Sequence, residues 1–456
     1  MSDLTALLEK YSKPGPRYTS YPTAPYFHPG FTEQDWRAEL AASQDLERGL
    51  SLYFHIPFCD TLCYYCGCNM VATGDYAKAM SYLDYLEKEM ATVAALADPA
   101  RRVEQLHWGG GTPTYLKPAE ILRLGRAIRQ QFRIADDAEM GCEVDPRELT
   151  AEHFAALREV GFNRLSMGVQ DLDERVQKAV NRIQPAALID QVYGWARAHG
   201  FASINMDLIV GLPHQTVASF AKTLDQVLIW SPDRLAVFSY AHVPWLKKHQ
   251  KLIDETALPS FATRLELQQL IYDRLGAAGY VNIGLDHFAK PTDEMVKAQQ
   301  NRTLWRNFQG YTTHKHCDIY AFGASAISQT PAVYVQNEKN VKAYQAKVAA
   351  GGLAVERGLR LSRDDQIRRD AITKVMCDLE LDKAEFEKRW GVNFGDYFAD
   401  ALADLEPIQA DGLVQLEPGR IAVTDKGRLF LRNIAMCFDA YLRQADTEKP
   451  RYSRTV

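Results

Sequence analysis

The 456-residue sequence has no apolar run approaching 18 consecutive residues, and this excludes an ordinary membrane-spanning helix. It also has no surplus of basic charge: 53 Lys and Arg stand against 58 Asp and Glu, a net of −5. Nucleic acid is therefore not an expected partner. The first ten residues mix acids with leucines and lack the basic-then-apolar order of a leader peptide. Hydrophobic residues at 46% and charged residues at 24% exclude a disordered or collagen-like chain. These absences predict a soluble, cytoplasmic protein, monomeric by default. Single domains cluster at about 100–200 residues, so two domains are expected here, one of them large.

Cysteines are few and unevenly placed. Cys59, Cys63, Cys66 and Cys68 fall within ten residues, while Cys142, Cys317, Cys377 and Cys437 stand alone. In a cytosolic protein a tight cluster points to metal rather than to disulfides. The scattered four read as small buried hydrophobes.

Three divisions are expected: an arm over 1–48, a catalytic domain over 49–352 and a small domain over 353–456. Within the arm, Pro14, Pro16 and Pro22 fall in nine residues and exclude helix and central strand. Tyr18, Tyr21, Tyr26 and Phe27 indicate an extended segment lying on the rest rather than a free tail. Such a segment adds little to a core, so its loss is expected to spare folding.

From residue 50, β-rich runs at 50–56, 103–108, 139–144, 164–169, 204–212 and 235–240 alternate with helical stretches at 76–96, 119–132, 151–160, 187–198 and 219–230. Successive βα units require right-handed crossovers and a parallel sheet, doubly wound or curled into a full or partial barrel. Functional residues are then expected at the C-terminal ends of the strands. Beyond about residue 352 the pattern becomes helices at 361–379, 383–390 and 398–405, followed by a hairpin over 412–424. That order suggests a winged-helix-like domain. Its 15 basic and 18 acidic residues over 361–456 argue for packing on the core rather than reading DNA.

Cys59-x3-Cys63-x2-Cys66 follows the first β-run. Zinc is the simplest reading of clustered cysteines, but zinc ribbons and fingers need a second ligand pair, and Cys142 and Cys317 have no partner at such spacing. An iron–sulfur cubane is the alternative. Three sulfurs on one loop reach three irons and leave the fourth open. Cys68, two residues past Cys66, is not counted as a ligand. Trp108-Gly109-Gly110-Gly111-Thr112-Pro113-Thr114 ends the second run, and its glycines are expected to bring free backbone groups close to a ligand. Glu143 and Asp145 end the third run, where a carboxylate could accept ribose hydroxyls. Gln170 ends the fourth, and Asp207 lies in the fifth.

These motifs resemble the radical S-adenosylmethionine superfamily. Nearly the whole chain is similar to one of its families, the oxygen-independent coproporphyrinogen III oxidases. The similarity is carried by Pro16-Arg17-Tyr18-Thr19-Ser20-Tyr21-Pro22, His55-Ile56-Pro57-Phe58-Cys59, Cys66-Gly67-Cys68, Arg164-Leu165-Ser166-Met167-Gly168-Val169-Gln170-Asp171, Gly284-Leu285-Asp286-His287 and Asn307-Phe308-Gln309-Gly310-Tyr311. The resemblance implies an α/β fold, a partial (β/α)6-type barrel with an extended parallel sheet, and a [4Fe-4S] cluster on Cys59, Cys63 and Cys66. It implies S-adenosylmethionine on the open iron, cleaved to a 5′-deoxyadenosyl radical, and oxidative decarboxylation of two propionates of coproporphyrinogen III to vinyls. The electron donor and acceptor are unidentified. Tyr53, Gly110, Glu143 and Ile327 would contact the cluster-bound cofactor. Tyr65, Gly111, Thr112, Gln170, Arg182, Asp207 and Ala241 would hold a second S-adenosylmethionine, although Gln170 and Arg182 could equally serve the first cofactor or the substrate. Some relatives carry Phe where Tyr65 stands. For the tetracarboxylate substrate, Arg17 with Tyr18 is the candidate, and Arg302 and Arg306 are weaker ones. The alternative function is that of heme chaperones in the same superfamily, which typically lack the Cys-Gly-Cys ending and the proline-rich arm present here.

Overall fold

The computed structural model describes residues 3–43, 45–444 and 452–455. The chain divides into two compact units, a larger one of Phe27–Arg274 and His316–Arg360 and a smaller one of Met1–Tyr26, Leu275–Lys315 and Leu361–Val456. This partition differs from the expected boundaries at 48/49 and 352/353. The chain leaves the larger unit after its sixth parallel strand, contributes 275–315 to the smaller unit, and returns.

The larger unit is built on a sheet whose strands we label β1 (Leu50–Ile56), β2 (Arg102–Gly110), β3 (Arg133–Val144), β4 (Arg164–Gln170), β5 (Ser203–Val210), β6 (Arg234–Ser239), β7 (Asp318–Phe322), β8 (Ile327–Gln329), β9 (Val333–Asn337) and β10 (Val355–Arg360). Their order is β10-β9-β8-β7-β1-β2-β3-β4-β5-β6. The neighbours from β7 to β6 run parallel, and β8, β9 and β10 extend the sheet antiparallel. The expected extended parallel sheet is thus mostly parallel, and past β7 it turns antiparallel because the short connections after Phe322 and Gln329 leave no room for crossovers.

Helices fill the crossovers where the sequence predicts them, and local signals set their ends. Pro118 opens Pro118–Gln131. Ala151–Val160 stops at Gly161, whose φ of 114° favours a residue without Cβ. Along each strand the side chains alternate. Leu52, Phe54, Leu106, Trp108, Cys142, Met167 and Met206 are buried, with Phe54 against Phe322 and Trp108 against Phe162. The intervening positions are polar: Tyr53 and His55 on β1, His107 on β2, Glu143 on β3, Ser166 on β4, and Asn205 and Asp207 on β5. Register aligns Tyr53 with His107 and Glu143 with Ser166, which in turn pairs with Asn205. One face of the sheet is therefore core, and the other carries a row of polar groups.

The smaller unit corrects the picture of residues 1–48 as an extended arm. Asp3–Tyr11 is a helix, and Leu7, Leu8, Tyr11, Tyr18 and Tyr21 are all buried. The Tyr18 hydroxyl donates to Asp439 at 2.9 Å, and Arg432 donates to the carbonyls of Pro16 and Gly15. In the larger unit, Glu33–Ala42 is a second helix, opened by a Thr32/Asp35 capping box. The C-terminal helices and hairpin form as expected. Glu380–Asp382 adds a third strand beside Arg420–Val423, and the last turn of the first helix widens to a π-turn over Lys374–Asp378.

Candidate active site

The 59–68 loop leaves the C-terminal end of β1. A short strand pair, Phe58–Cys59 with Val71–Ala72, closes its base. Its backbone is held from outside. Leu62 O accepts from Asn181 Nδ2 at 2.9 Å, Tyr65 O from Gln250 Nε2 at 3.0 Å, Cys66 O from His249 Nε2 at 2.7 Å, and Cys68 O from Lys247 Nζ at 2.9 Å. Each thiol of the triple has a polar neighbour. Cys59 Sγ lies 3.3 Å from Thr112 Oγ1, Cys63 Sγ 3.5 Å from Arg147 Nη2 and 3.6 Å from Arg182 Nη1, and Cys66 Sγ accepts from Cys68 N–H at 3.4 Å. The Cys68 hydrogen bond, with His249 and Lys247 nearby, pulls the Cys66 thiol below its ordinary value, whereas burial pushes Cys59 up to about 12. Cys68 is exposed and hydrogen-bonded to Cys66.

The glycine segment works differently from the expectation of free backbone groups. Gly110 N–H donates to Glu143 Oε2 at 3.0 Å, Gly111 N–H to Ile56 O at 2.9 Å, and Thr112 N–H to Phe58 O at 2.8 Å. These donors are spent inside the protein, tying β2 to the cysteine loop. The missing side chains are needed all the same. A Cβ on Gly110 (φ 120°) would lie 2.8 Å from the His55 ring, and one on Gly111 would lie 2.7 Å from the Pro57 backbone.

Around this loop the strand ends form a charged array. Burial alone would raise the Glu143 carboxyl, but His107, the Gly110 N–H and His55 pull it below the ordinary value. Burial lowers the His55 pKa, against the pull of its hydrogen bond to Asn69 and of Glu143; Nε2 donates to Asn69 O at 2.8 Å and Nδ1 faces the Tyr53 hydroxyl at 3.1 Å. Burial opposes ionisation of Asp145 too, yet Arg182 and Arg147, at 2.9 and 2.7 Å, hold its carboxyl at about 2. Asp145 is thus committed to arginines rather than free for a ribose. Asp207, bonded to Ser166 at 3.0 Å and Asn205 at 2.7 Å, is raised to about 6 by burial.

Residues 53–227 match the Radical SAM superfamily, and residues 361–430 match the HemN C-terminal domain. The oxygen-independent coproporphyrinogen III oxidase of Escherichia coli (strain K12) is 49% identical over 99% of this chain and 98% of its own length. That of Pseudomonas aeruginosa is 46% identical over the same shares. The solved structure of coproporphyrinogen III oxidase (HemN) from Escherichia coli superposes with a TM-score of 0.92 at 48% identity, covering 96% of this chain and 98% of that one. The chain belongs to the oxygen-independent coproporphyrinogen III oxidase family. It is a radical S-adenosylmethionine oxidoreductase, and its cofactors are a [4Fe-4S] cluster and S-adenosylmethionine.

The residues present fit these groups. Three thiols on one loop, Cys59 beside a hydroxyl, Cys63 beside two arginines and Cys66 beside an N–H donor, suit the compensation of thiolate charge at a cluster. Among the described residues, Arg182 Nε and Gln184 Oε1 are buried without a hydrogen-bond partner, which a bound polar ligand would explain.

The other residues expected at the family's site fall in three groups. Tyr53, Gly110 and Glu143 lie on the adjacent strands β1, β2 and β3, and Ile327 opens β8 on the other side of β7; Tyr53 packs on Ile319, Ala321 and Ala326, the last preceding Ile327 in the chain. Tyr65 and Tyr240 pack on Val176, Val180, Ile209 and Leu212, and Gln250 Nε2 donates to both Tyr65 O and Ala241 O. Gln170 ends β4 at φ 64°, with its amide folded over the bare Cα of Gly168. In the smaller unit, Arg17 pairs with Asp286 at 2.6 Å and Arg302 with Glu380 at 2.7 Å. Arg306 is buried and donates to Arg17 O, and its Nη1 has no hydrogen-bond partner among the described residues. Tyr18 is a core residue. Sequence reading missed Arg147, Asn181, His249 and Gln250. Arg147 stands two residues past Asp145 and could have been noticed. The other three lie on segments with no pattern of their own.

Proposed function

We propose that this chain carries out the anaerobic oxidative decarboxylation of two propionate side chains of coproporphyrinogen III, giving the vinyl groups of protoporphyrinogen IX in heme synthesis. One observation carries the reading: a chain half-identical over its whole length to these oxidases keeps the complete three-thiol loop beside Glu143 and Arg182. When bound, the cluster and S-adenosylmethionine supply a 5′-deoxyadenosyl radical, which can take hydrogen from an unactivated propionate β-carbon where no side-chain base can.

The protein's own residues divide the remaining work. Cys59, Cys63 and Cys66 would hold the cluster through their three thiolates, and the cluster would bind S-adenosylmethionine. Arg147 and Arg182 offset the charge gathered at Cys63. Glu143, kept ionised, accepts the ribose hydroxyls, and Tyr53, Gly110 and Ile327 line the same molecule. Tyr65, Gly111, Thr112, Gln170, Arg182, Asp207 and Ala241 hold a second S-adenosylmethionine. Arg17 and Arg306 offer cations to the substrate's carboxylates, while Tyr18 is reserved to the core. Residues 49–352 contain the radical chemistry of a cytoplasmic monomer. A separate donor supplies the reducing electron, and a separate acceptor takes the one left after carbon dioxide departs.

The test uses coproporphyrinogen III deuterated at the propionate β-carbons, under anaerobic conditions with a reductant. Deuterium is expected in the 5′-deoxyadenosine, together with vinyl product. Deoxyadenosine without deuterium would overturn the reading and reopen heme transfer, which the full-length oxidase relatives do not favour.

A further inference from the structure

At the N-terminal ends of the parallel strands, remote in the sheet from the cysteine loop, the larger unit assembles three side chains that the proposed reaction does not use. Glu104 stands near the start of β2, and His316 and Cys317 immediately precede β7. Strand β1 lies between β7 and β2, and the residue before it is Gly49. A Cβ on Gly49 would fall 2.6 Å from the Glu104 carboxylate and 3.0 Å from the Cys317 sulfur. The bare glycine therefore lets side chains from two non-adjacent strands meet above it.

His316 Nε2 lies 2.8 Å from Glu104 Oε2, and Cys317 Sγ lies 3.7 Å from the same oxygen. All three ligand atoms lie within 4.8 Å of one another. The surrounding frame is fixed. Asp318 next to Cys317 is fully buried, paired with Arg101 at 2.8 Å and Arg48 at 2.7 Å, and its N–H donates to Gly49 O at 3.0 Å. The Cys317 thiol is buried while the His316 side chain is 50% exposed, which leaves an entry path for an ion.

Without an ion, one carboxylate oxygen, Glu104 Oε2, serves both His316 Nε2 at 2.8 Å and the Cys317 thiol, which donates to it at the longer distance of 3.7 Å. A divalent cation would reconcile the three groups. Thiolate, imidazole and carboxylate together select a borderline ion over magnesium or calcium. We propose that Glu104, His316 and Cys317 form a zinc(II) site with three protein ligands and a fourth position for water. Ligand bonds of about 2.0–2.3 Å place such atoms about 3–4 Å apart, within a small rotation of the exposed His316. On binding, the Cys317 thiol releases its proton to solvent, and the His316–Glu104 hydrogen bond is replaced by bonds to the ion.

The test uses holoenzyme with its iron–sulfur cluster in place, so that the loop thiols are already engaged. After chelator treatment it is titrated with zinc chloride, zinc is counted against iron, and zinc K-edge absorption reports the ligands. One zinc per chain with a single sulfur neighbour is expected. Cys317→Ser should remove the sulfur contribution. His316→Gln, at an exposed position, should keep full iron content and weaken zinc binding by about 100-fold or more, beyond the cost of outer-shell changes. Zinc bound equally by wild type and His316→Gln, or zinc with no sulfur neighbour or with two or more, would overturn the proposal.

Discussion

Arg182 Nη1 lies 2.9 Å from Asp145 Oδ2 and, at the same time, 3.6 Å from Cys63 Sγ. One buried guanidinium thus links a strand-end carboxylate to a cluster thiol. Its second nitrogen, Nη2, donates to Gly168 O at 2.7 Å, fixing the plane of the fork. The arrangement couples cluster environment to sheet stability. Arg182→Met should leave Asp145 with Arg147 alone and cost about 3 kcal/mol, the lower end for a broken buried pair. Denaturant unfolding monitored by circular dichroism measures this, and an unchanged midpoint would refute it.

Ligation separates the four clustered cysteines. Cys59→Ser, Cys63→Ser and Cys66→Ser should each abolish the cluster, because a hydroxyl replaces thiolate poorly at iron. Cys68→Ser should retain it, since the N–H that Cys68 donates to Cys66 Sγ belongs to the backbone. Iron and sulfide content decide. An iron-free Cys68→Ser beside an iron-loaded Cys59→Ser would invert the assignment.

Glu143→Ala should leave iron content intact and weaken S-adenosylmethionine. Loss of a hydrogen bond to a charged group costs about 1.5–3 kcal/mol, or about ten- to a hundredfold in affinity. Equilibrium dialysis reads this directly, and unaltered affinity would remove Glu143 from the cofactor site.

Glu89 supplies a pH test. Its carboxylate accepts from the Gly323 N–H at 2.8 Å, the Tyr344 hydroxyl at 2.7 Å and Asn337 Nδ2 at 2.6 Å, pinning the turn that follows β7. Burial raises it from the ordinary 4.5 to about 7, against the pull of those donors. The folded state therefore binds this proton more tightly than the unfolded state. The resulting stabilisation is full below pH 4.5 and is lost as pH rises through 7. Between those limits wild type should lose on the order of 3 kcal/mol relative to Glu89→Gln. Parallel pH profiles of the two proteins in urea would contradict the assignment.

Removing residues 1–24 should destabilise the smaller unit, contrary to what an extended arm would imply. It strips Leu7, Leu8, Tyr11, Tyr18 and Tyr21 from the core and removes the hydrogen bonds of Tyr18 to Asp439 and of Arg432 to Pro16 and Gly15. At about 1.5–3 kcal/mol per large buried side chain, the loss is on the order of several kcal/mol. Limited proteolysis should cut within 361–430 while iron content is retained. A truncated chain as protease-resistant as wild type would restore the arm picture.

Much of the larger unit was legible because its signals are local. The run at 50–56 is β1 itself, and the helix expected over 151–160 is the one observed, opened at Thr150 and closed by Gly161. The cysteine spacing was legible for the same reason, since three ligands on one loop need no folding to be adjacent. The N-terminal segment was misread because its prolines describe only residues 12–23. The helix before them and the burial of Tyr18 against Asp439 depend on groups more than 400 residues away. The backbone donors of Gly110 to Thr112 looked free in sequence, and their acceptors, Glu143, Ile56 and Phe58, come from other strands.

The sequence by itself determined the periodic alternation of strand and helix, the three-thiol loop and hence the family, because each is a pattern among neighbours set by side-chain alternation and ligand spacing. Only the tertiary structure decided which donors are already spent, which carboxylate is neutralised by Arg182, and that Glu104 and Cys317 meet above Gly49. Those outcomes depend on strand order and register, and long-range pairing places in contact groups whose separation along the chain carries no sign of it.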